Sequence, residues 1–185
     1  MYIFRGVEKN MGDLVKKTKI VPFINTGTSE IPNWTQIKKS TSFTLAMNPQ
    51  TKTFDFISSE TPQNEIDSYQ PSLGQSITMF KGEPDYEAIF DMLFNRATGA
   101  EAHRDALIVF YKESYTPMGE SQTTYFKCWK IDALVVINQL DSVNENIDFD
   151  LNLNDIENGA VTVSSGAPTF VAGTWNNGTF TPALP

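Results

Sequence analysis

Asn146, Asp148, Asp150 and Asn152 set four oxygen-bearing side chains at alternate positions, a pattern that could ligate a cation. A calcium loop also presents oxygen ligands at alternate positions, but it adds a glycine at its sharp turn and a closing glutamate. Neither stands in place here, and alternate side chains on a straight strand diverge along a flat face instead of converging on an ion. The run therefore reads as a hydrated polar face, and no metal is expected. His103, the sole histidine, follows Gly99-Ala100-Glu101-Ala102 and reads as a surface-loop residue, because no serine or cysteine elbow accompanies it. Cys128, the sole cysteine, lies among Tyr125, Phe126, Trp129 and Ile131 and reads as a small buried hydrophobe. No phosphate-binding glycine loop, dinucleotide fingerprint or zinc-spaced Cys and His set occurs in the sequence. Neither catalysis nor a cofactor is expected. Trp34, Trp129 and Trp175 would suit a sugar-stacking platform, but their apolar, strand-like neighbours favour core or subunit contact. The sequons Asn33-Trp34-Thr35 and Asn177-Gly178-Thr179 read as chance matches.

The surrounding pattern is mostly that of strands. Ser142 to Asn154 alternates, with Val143, Ile147, Phe149, Leu151 and Leu153 on one side and the Asn and Asp residues on the other; Glu145 is the exception on the apolar side. Period two over that length predicts a strand with one buried and one wet face. Asn158-Gly159 then predicts a tight turn, with Ala160 to Val163 as the hairpin partner. Further strands are expected at Lys19–Asn25, Trp34–Lys38, Ser42–Met47, Thr51–Ser58, Leu73–Lys81, Asp105–Lys112, Thr123–Leu140 and Thr169–Trp175. The run Thr123–Leu140 exceeds the ordinary strand of about 5 to 6 residues, so it either bends or continues into a neighbouring subunit's sheet. One helix is predicted, Pro84 to Ala97, with Asp85 and Glu87 in its first turn, Gly99 as its left-handed stop and Tyr86, Ile89, Phe90, Leu93 and Ala97 on its apolar face. Between Asn48 and Ser72, Pro49, Pro62 and Pro71 predict a projecting hairpin or loop that breakers keep from ordinary pairing. Thr179 to Pro185 reads as an arm without packing of its own.

At 185 residues, 40% of them apolar, the chain suits one well-buried core. The formal net charge is -8. From Ile131 to Pro185 there are seven acids and no Lys or Arg, while the first twenty residues carry five bases against two acids. A chain this acidic is not built to grip phosphates through counterion release. The opening is too short for a secretory leader and no apolar run reaches the roughly 20 residues that span a bilayer, so a cytoplasmic product with no membrane contact is expected, with Met11 an alternative start.

An ordered set of short motifs gives a family expectation: Trp34-Thr35-Gln36-Ile37, Asn48-Pro49, Asp67-Ser68-Tyr69-Gln70-Pro71-Ser72, Lys81-Gly82-Glu83-Pro84 with its helix, Pro117-x-Gly119-Glu120, and Gly166-Ala167-Pro168-Thr169-Phe170. Taken together from about Met11 to Trp175, this order resembles the major tail proteins, or tail tube proteins, of long, flexible-tailed bacteriophages. The resemblance implies a mainly β fold, a β-sandwich or flattened barrel with one flanking α-helix, shared with the tubes of contractile tails and type VI secretion. It implies a structural virion protein of the phage tail, assembled in the host cytoplasm, with no catalytic residues. Its partners would be itself, as a hexameric ring in a stack of rings, other tail proteins (tape measure, terminator, distal tail protein), and phage DNA as passing cargo. The chain would divide into an N-terminal arm at 1–18, a β domain at 19–176 and a C-terminal arm at 177–185. Asn146, Asp148, Asp150 and Asn152 become candidate lumen residues, and Asn48, Pro49, Pro62, Asp67, Tyr69 and Pro71 candidate inter-ring residues. The alternatives are a tube or terminator component of a related injection device, such as a tailocin or type VI tube, and a carbohydrate-binding β-sandwich.

Overall fold

Two strands too long for a single neighbour set the architecture. The computed structural model describes residues 14–58, 60–118, 123–164 and 166–183; Met11, Gly119, Glu120 and most of the expected N-terminal arm lie outside them. In chain order the strands are β1 (Ile20–Asn25), β2 (Trp34–Gln36), β3 (Ser40–Ala46), β4 (Pro49–Phe54), β5 (Gln63–Tyr69), β6 (Ser72–Thr78), β7 (His103–Tyr115), β8 (Tyr125–Asp141), β9 (Asn146–Ser164), β10 (Ala167–Asn176) and β11 (Thr179–Pro182). Helix α1 spans Pro84–Asn95. β8 and β9 pair antiparallel, and the other edge of β9 is shared: β6 pairs with its first half, from Asn146 to Asn152, and β10 with its second, from Gly159 to Ser164. The protein is therefore mainly β, a nine-stranded curled half-barrel sheet in the order β11-β10-β9-β8-β7-β1-β2, with β6 and β3 branching from β9, plus a separate β4-β5 ribbon and one helix.

Both faces of the central strands are apolar, which is why two cores form. Ile24, Ala106, Ile108, Ile131, Ala133, Val135, Phe149 and Leu151 join the larger cluster, where α1 contributes Ile89 and Met92, with Tyr86, Phe90, Leu93 and Ala97 packed around them. On the opposite face Val21, Phe23, Leu107, Val109, Cys128 and Val161 form the smaller one, against Trp34, Tyr111, Phe126 and Phe170. Burial pushes the Cys128 thiol well above its ordinary range, as a core position requires. Asp85, 2% exposed, fixes the helix to the sheet: one carboxylate oxygen accepts from the Lys38 N–H (3.0 Å) and the other from Tyr86 N–H (3.0 Å).

The sequence expectations fail where a local signal has a second physical use. The strand expected from Ser142 begins at Asn146. Asp141 instead accepts hydrogen bonds from the N–H groups of Asn144 and Val143 and from the Asn144 amide, which closes a turn and holds the Asp141 carboxyl below its ordinary value. Glu145 takes a left-handed conformation (φ 56°) in that turn, which explains its misplaced polarity, and Val143 is exposed. Asn158-Gly159 makes no turn, and Ala160–Val163 is no hairpin partner but the same continuous β9. A Cβ on Gly159 would stand 2.6 Å from the Phe170 ring and 2.7 Å from the Val171 carbonyl oxygen, so this glycine serves a close approach. The turn with that dipeptide is Asn177-Gly178 (φ 47° and 81°), which folds β11 onto β10 and buries Phe180; the C-terminal segment is thus packed through Ala183 instead of forming a free arm. Helix α1 stops at Arg96 (φ 51°), before Gly99. His103 opens β7, and its Nδ1 lies 3.0 Å from an Asp132 carboxylate oxygen, so it is no loop residue. The prolines between Asn48 and Ser72 do not prevent pairing: Pro49 stands opposite Tyr69 at the open end of the β4-β5 ladder. β8 pairs with β9 of its own chain along its length and bends at two bulges, between Ile131 and Ala133 and between Ile137 and Gln139.

Gly159→Ala forces the added methyl against Phe170 and the β10 backbone, and is expected to destabilise by about 1 to 3 kcal/mol. Urea unfolding of the variant checks this; a glycine in a simple surface turn would give a smaller change.

Candidate functional site

The polar face begins with the alternation of β9. In a strand whose odd residues Ile147, Phe149, Leu151 and Leu153 are buried under α1, the even residues must face the other way. Asn146, Asp148, Asp150 and Asn152 all do, so the structure gathers the expected polar residues on one face. β6 alternates in the same phase and sets Thr78, Ser76, Gly74 and Ser72 directly beside them. β3 continues the face with Ser42 opposite Ser76 and Thr44 opposite Gly74. On the other flank, the bulge in β8 between Ile137 and Gln139 turns both Asn138 and Gln139 onto the polar side.

These side chains bond to one another across the strands. The Asn138 amide donates to Asp150 (2.8 Å), Gln139 to Asp148 (2.7 Å), and Asn146 to Asp148 (2.9 Å) and to the Ser76 hydroxyl (2.7 Å). Gly74 leaves room for the Asp150 carboxylate, since a Cβ there would stand 3.3 Å from its Oδ1. Each aspartate is thus held by neutral amides, and no Lys or Arg occurs on β3, β6, residues 146–153 or residues 135–141. The negative charge of the face is oriented but not neutralised. Asp148 and Asp150 bond different amides and diverge; among the described residues no three His, Cys, Asp or Glu side chains come together to hold a metal ion.

The second set of expected residues divides. Asn48, Tyr69 and Pro71 meet Asn152, Trp129 and Ile156 around a groove of about 960 Å³ at the base of the β4-β5 ribbon. There Asn48 (φ 43°) donates to the Gln70 carbonyl (3.1 Å) and the Ser72 hydroxyl (3.2 Å), and the Pro71 carbonyl accepts from Leu153 N–H (2.9 Å). Pro49 opens β4 beside that base, while Asp67 and Pro62 stand exposed farther out along the ribbon. The ribbon is exposed on both faces, apart from a half-buried Phe54 that stacks on Phe56 at 5.5 Å.

Sequence reasoning missed Ser42, Thr44, Ser76, Gly74, Asn138 and Gln139. The signal for β6 was present, since Ser72, Gly74, Ser76 and Thr78 alternate with Leu73, Gln75 and Ile77. No family model matches the chain, and no curated protein matches it. Among the described residues no helix is long and apolar enough to cross a membrane.

Asp148→Ala strands only amides that water can reach, and is expected to change stability by about 1 kcal/mol or less, whereas Leu151→Ala on the covered face should lose about 2 to 5 kcal/mol. Equilibrium denaturation of both variants checks which face of β9 is wet.

Proposed function

We propose that this chain is a structural subunit that closes with copies of itself into a hexameric ring and stacks into a tube, as in a phage tail or a related injection device, with DNA as passing cargo. The observation that carries this reading is a four-stranded antiparallel sheet, β3-β6-β9-β8, whose one face is polar and free of bases and whose other face is covered by α1. Among the described residues, no strand pairs with the outer edge of β3 or with the edge of β8 from Val135 to Asp141.

Unpaired edges invite pairing, and two different edges on one sheet invite a heterologous, head-to-tail contact that closes into a ring. β3 is antiparallel to β6, β6 to β9 and β9 to β8, so a neighbour's β3 arriving beside β8 is again antiparallel, and the sheet continues around the ring without a break in pattern. The polar face then lines the bore. Its carboxylates repel phosphates, the Asn138, Gln139 and Asn146 amides are engaged with those carboxylates, and no base stands on the face, so a passing nucleic acid meets no positive charge to hold it. The groove at Asn48, Tyr69 and Pro71 and the doubly exposed ribbon remain for contacts between rings.

Negative-stain electron microscopy of the purified protein over a concentration series tests the reading. Rings or hollow tubes with six-fold symmetry are expected, and particles that stay dispersed as monomers at high concentration would refute it.

A further inference from the structure

The two free edges carry enough detail to fix how they meet. We infer that β3 of one copy pairs with residues 135–141 of the next in a single register, with Leu45 opposite Val135, Phe43 opposite Ile137, Ser40 opposite Leu140 and Lys39 opposite Asp141. The inference rests on the ring reading above and adds the residues of the joint.

Backbone hydrogen bonding supplies the first constraint. Met79 N–H donates to Glu145 O (2.8 Å) and Leu153 N–H to Pro71 O (2.9 Å), so the odd residues of β6 bond β9 and, by the alternation of an antiparallel ladder, the even ones bond β3. Thr78 N–H donating to Lys39 O (3.1 Å) agrees. Thr44 and Ala46 therefore bond inward, and Phe43 and Leu45 direct their N–H and C=O groups to the open side. The same alternation carried across β9 turns Val136 and Gln139 toward β9 and leaves Val135, Ile137 and Leu140 with their groups outward. Outward residues on the two edges must face one another.

The bulges supply the second constraint. β3 has an irregularity between Ser40 and Ser42, and β8 has one between Ile137 and Gln139. In the stated register the two fall at the same level, so both strands shift phase together and the pairing survives on either side. A slip of two residues misaligns them.

Side chains supply the third. Beside the β8 edge runs a groove of about 400 Å³ whose apolar lining is Met92, Leu93, Ala97, Val135, Ile137 and Leu140, joined by Arg96, Thr98, Asn138 and Gln139. Phe43 lies on the helix side of β3 and is 37% exposed in the free chain. A neighbour docked in this register places Phe43 in that groove, as an aromatic anchor against its apolar lining. Across β3-β6, Phe43 stands opposite Gln75, which is 4% exposed with neither end of its amide bonded, so this row is incomplete in the isolated chain. At the far end exposed Lys39 meets Asp141, a favourable charge pair.

The test uses the full chain with paired cysteines on the polar side. Thr44 and Val136 are exposed and become a non-hydrogen-bonded cross-strand pair, whose Cα separation of about 4.5 Å suits a disulfide. Cys128 is 2% exposed and leaves the new thiols to each other. Under mild oxidation, T44C/V136C rings should give a covalent ladder ending at the ring size, while S42C/V136C, offset by two residues, should crosslink at least about tenfold more slowly because diagonal neighbours lie about 7 to 8 Å apart. Phe43→Asp should abolish rings while circular dichroism and thermal unfolding show a folded monomer. Rings that crosslink only through the offset pair, or that persist in Phe43→Asp, would overturn the inference and leave the ring reading standing. A parent protein that forms no rings would overturn both.

Discussion

Everything else in this fold depends on the length of the β8-β9 pair. On one edge β8 flanks nearly all of β9, but on the other β6 takes one half and β10 the second, and the sheet divides into two regions with different duties. In the second region both faces are apolar and the sheet curls over Val109, Cys128 and Val161. In the first region one face is dry under α1 and the other is wet. The change occurs within single strands, where β8 turns from the Phe126 to Ile131 stretch into the Val135 to Asp141 stretch through the bulge at Ile131 and Ala133. A bulge adds twist and re-aims side chains, so one continuous ladder can serve two surfaces without a loop between them.

Helix α1 is what allows the first region to be a single sheet with only one wet face. Its buried Ile89 and Met92 supply the dry side that a second sheet would otherwise provide. The anchor is small: the Asp85 carboxylate holds the backbone between β2 and β3 at the same point where it closes the first helical turn. One residue therefore ties the start of the helix to the backbone just before β3. Glu87 reinforces the helix start by reaching back to Gly82 N–H at 2.8 Å.

Much of the fold was legible because it is written in regular spacing, period two along the strands and three to four along the helix. The even row of β9, the strand at β7 and the helix face all follow from spacing alone. What failed was chemistry with two uses. Asn-Gly at 158–159 has the same local signature as Asn-Gly at 177–178, and only the distant ring of Phe170 decides that the first is a packing gap and the second a turn. β5 went unread because Gln63 to Tyr69 is exposed on both faces, so no apolar row marks it as a strand. The joint between polar side chains of β6, β8 and β9 was only half legible, since alternation tells which face a residue takes but not which strand lies beside it. Asn138 was hidden further by its bulge, which breaks the alternation that would have assigned it.

The β4-β5 ribbon has a consequence for how such a chain can change over time. Its residues satisfy their backbone bonds within the pair and rest against no core, apart from the Asn48 and Pro71 junction. Substitution along it therefore meets little selection for stability, and lengthening its tip meets little more, because loop closure rises only slowly with length. The core and the polar face are bound to one another through every strand of the sheet and can vary only in concert. Diversity between lineages of this protein would thus accumulate in the ribbon first, making it the part of the surface by which otherwise similar chains come to differ.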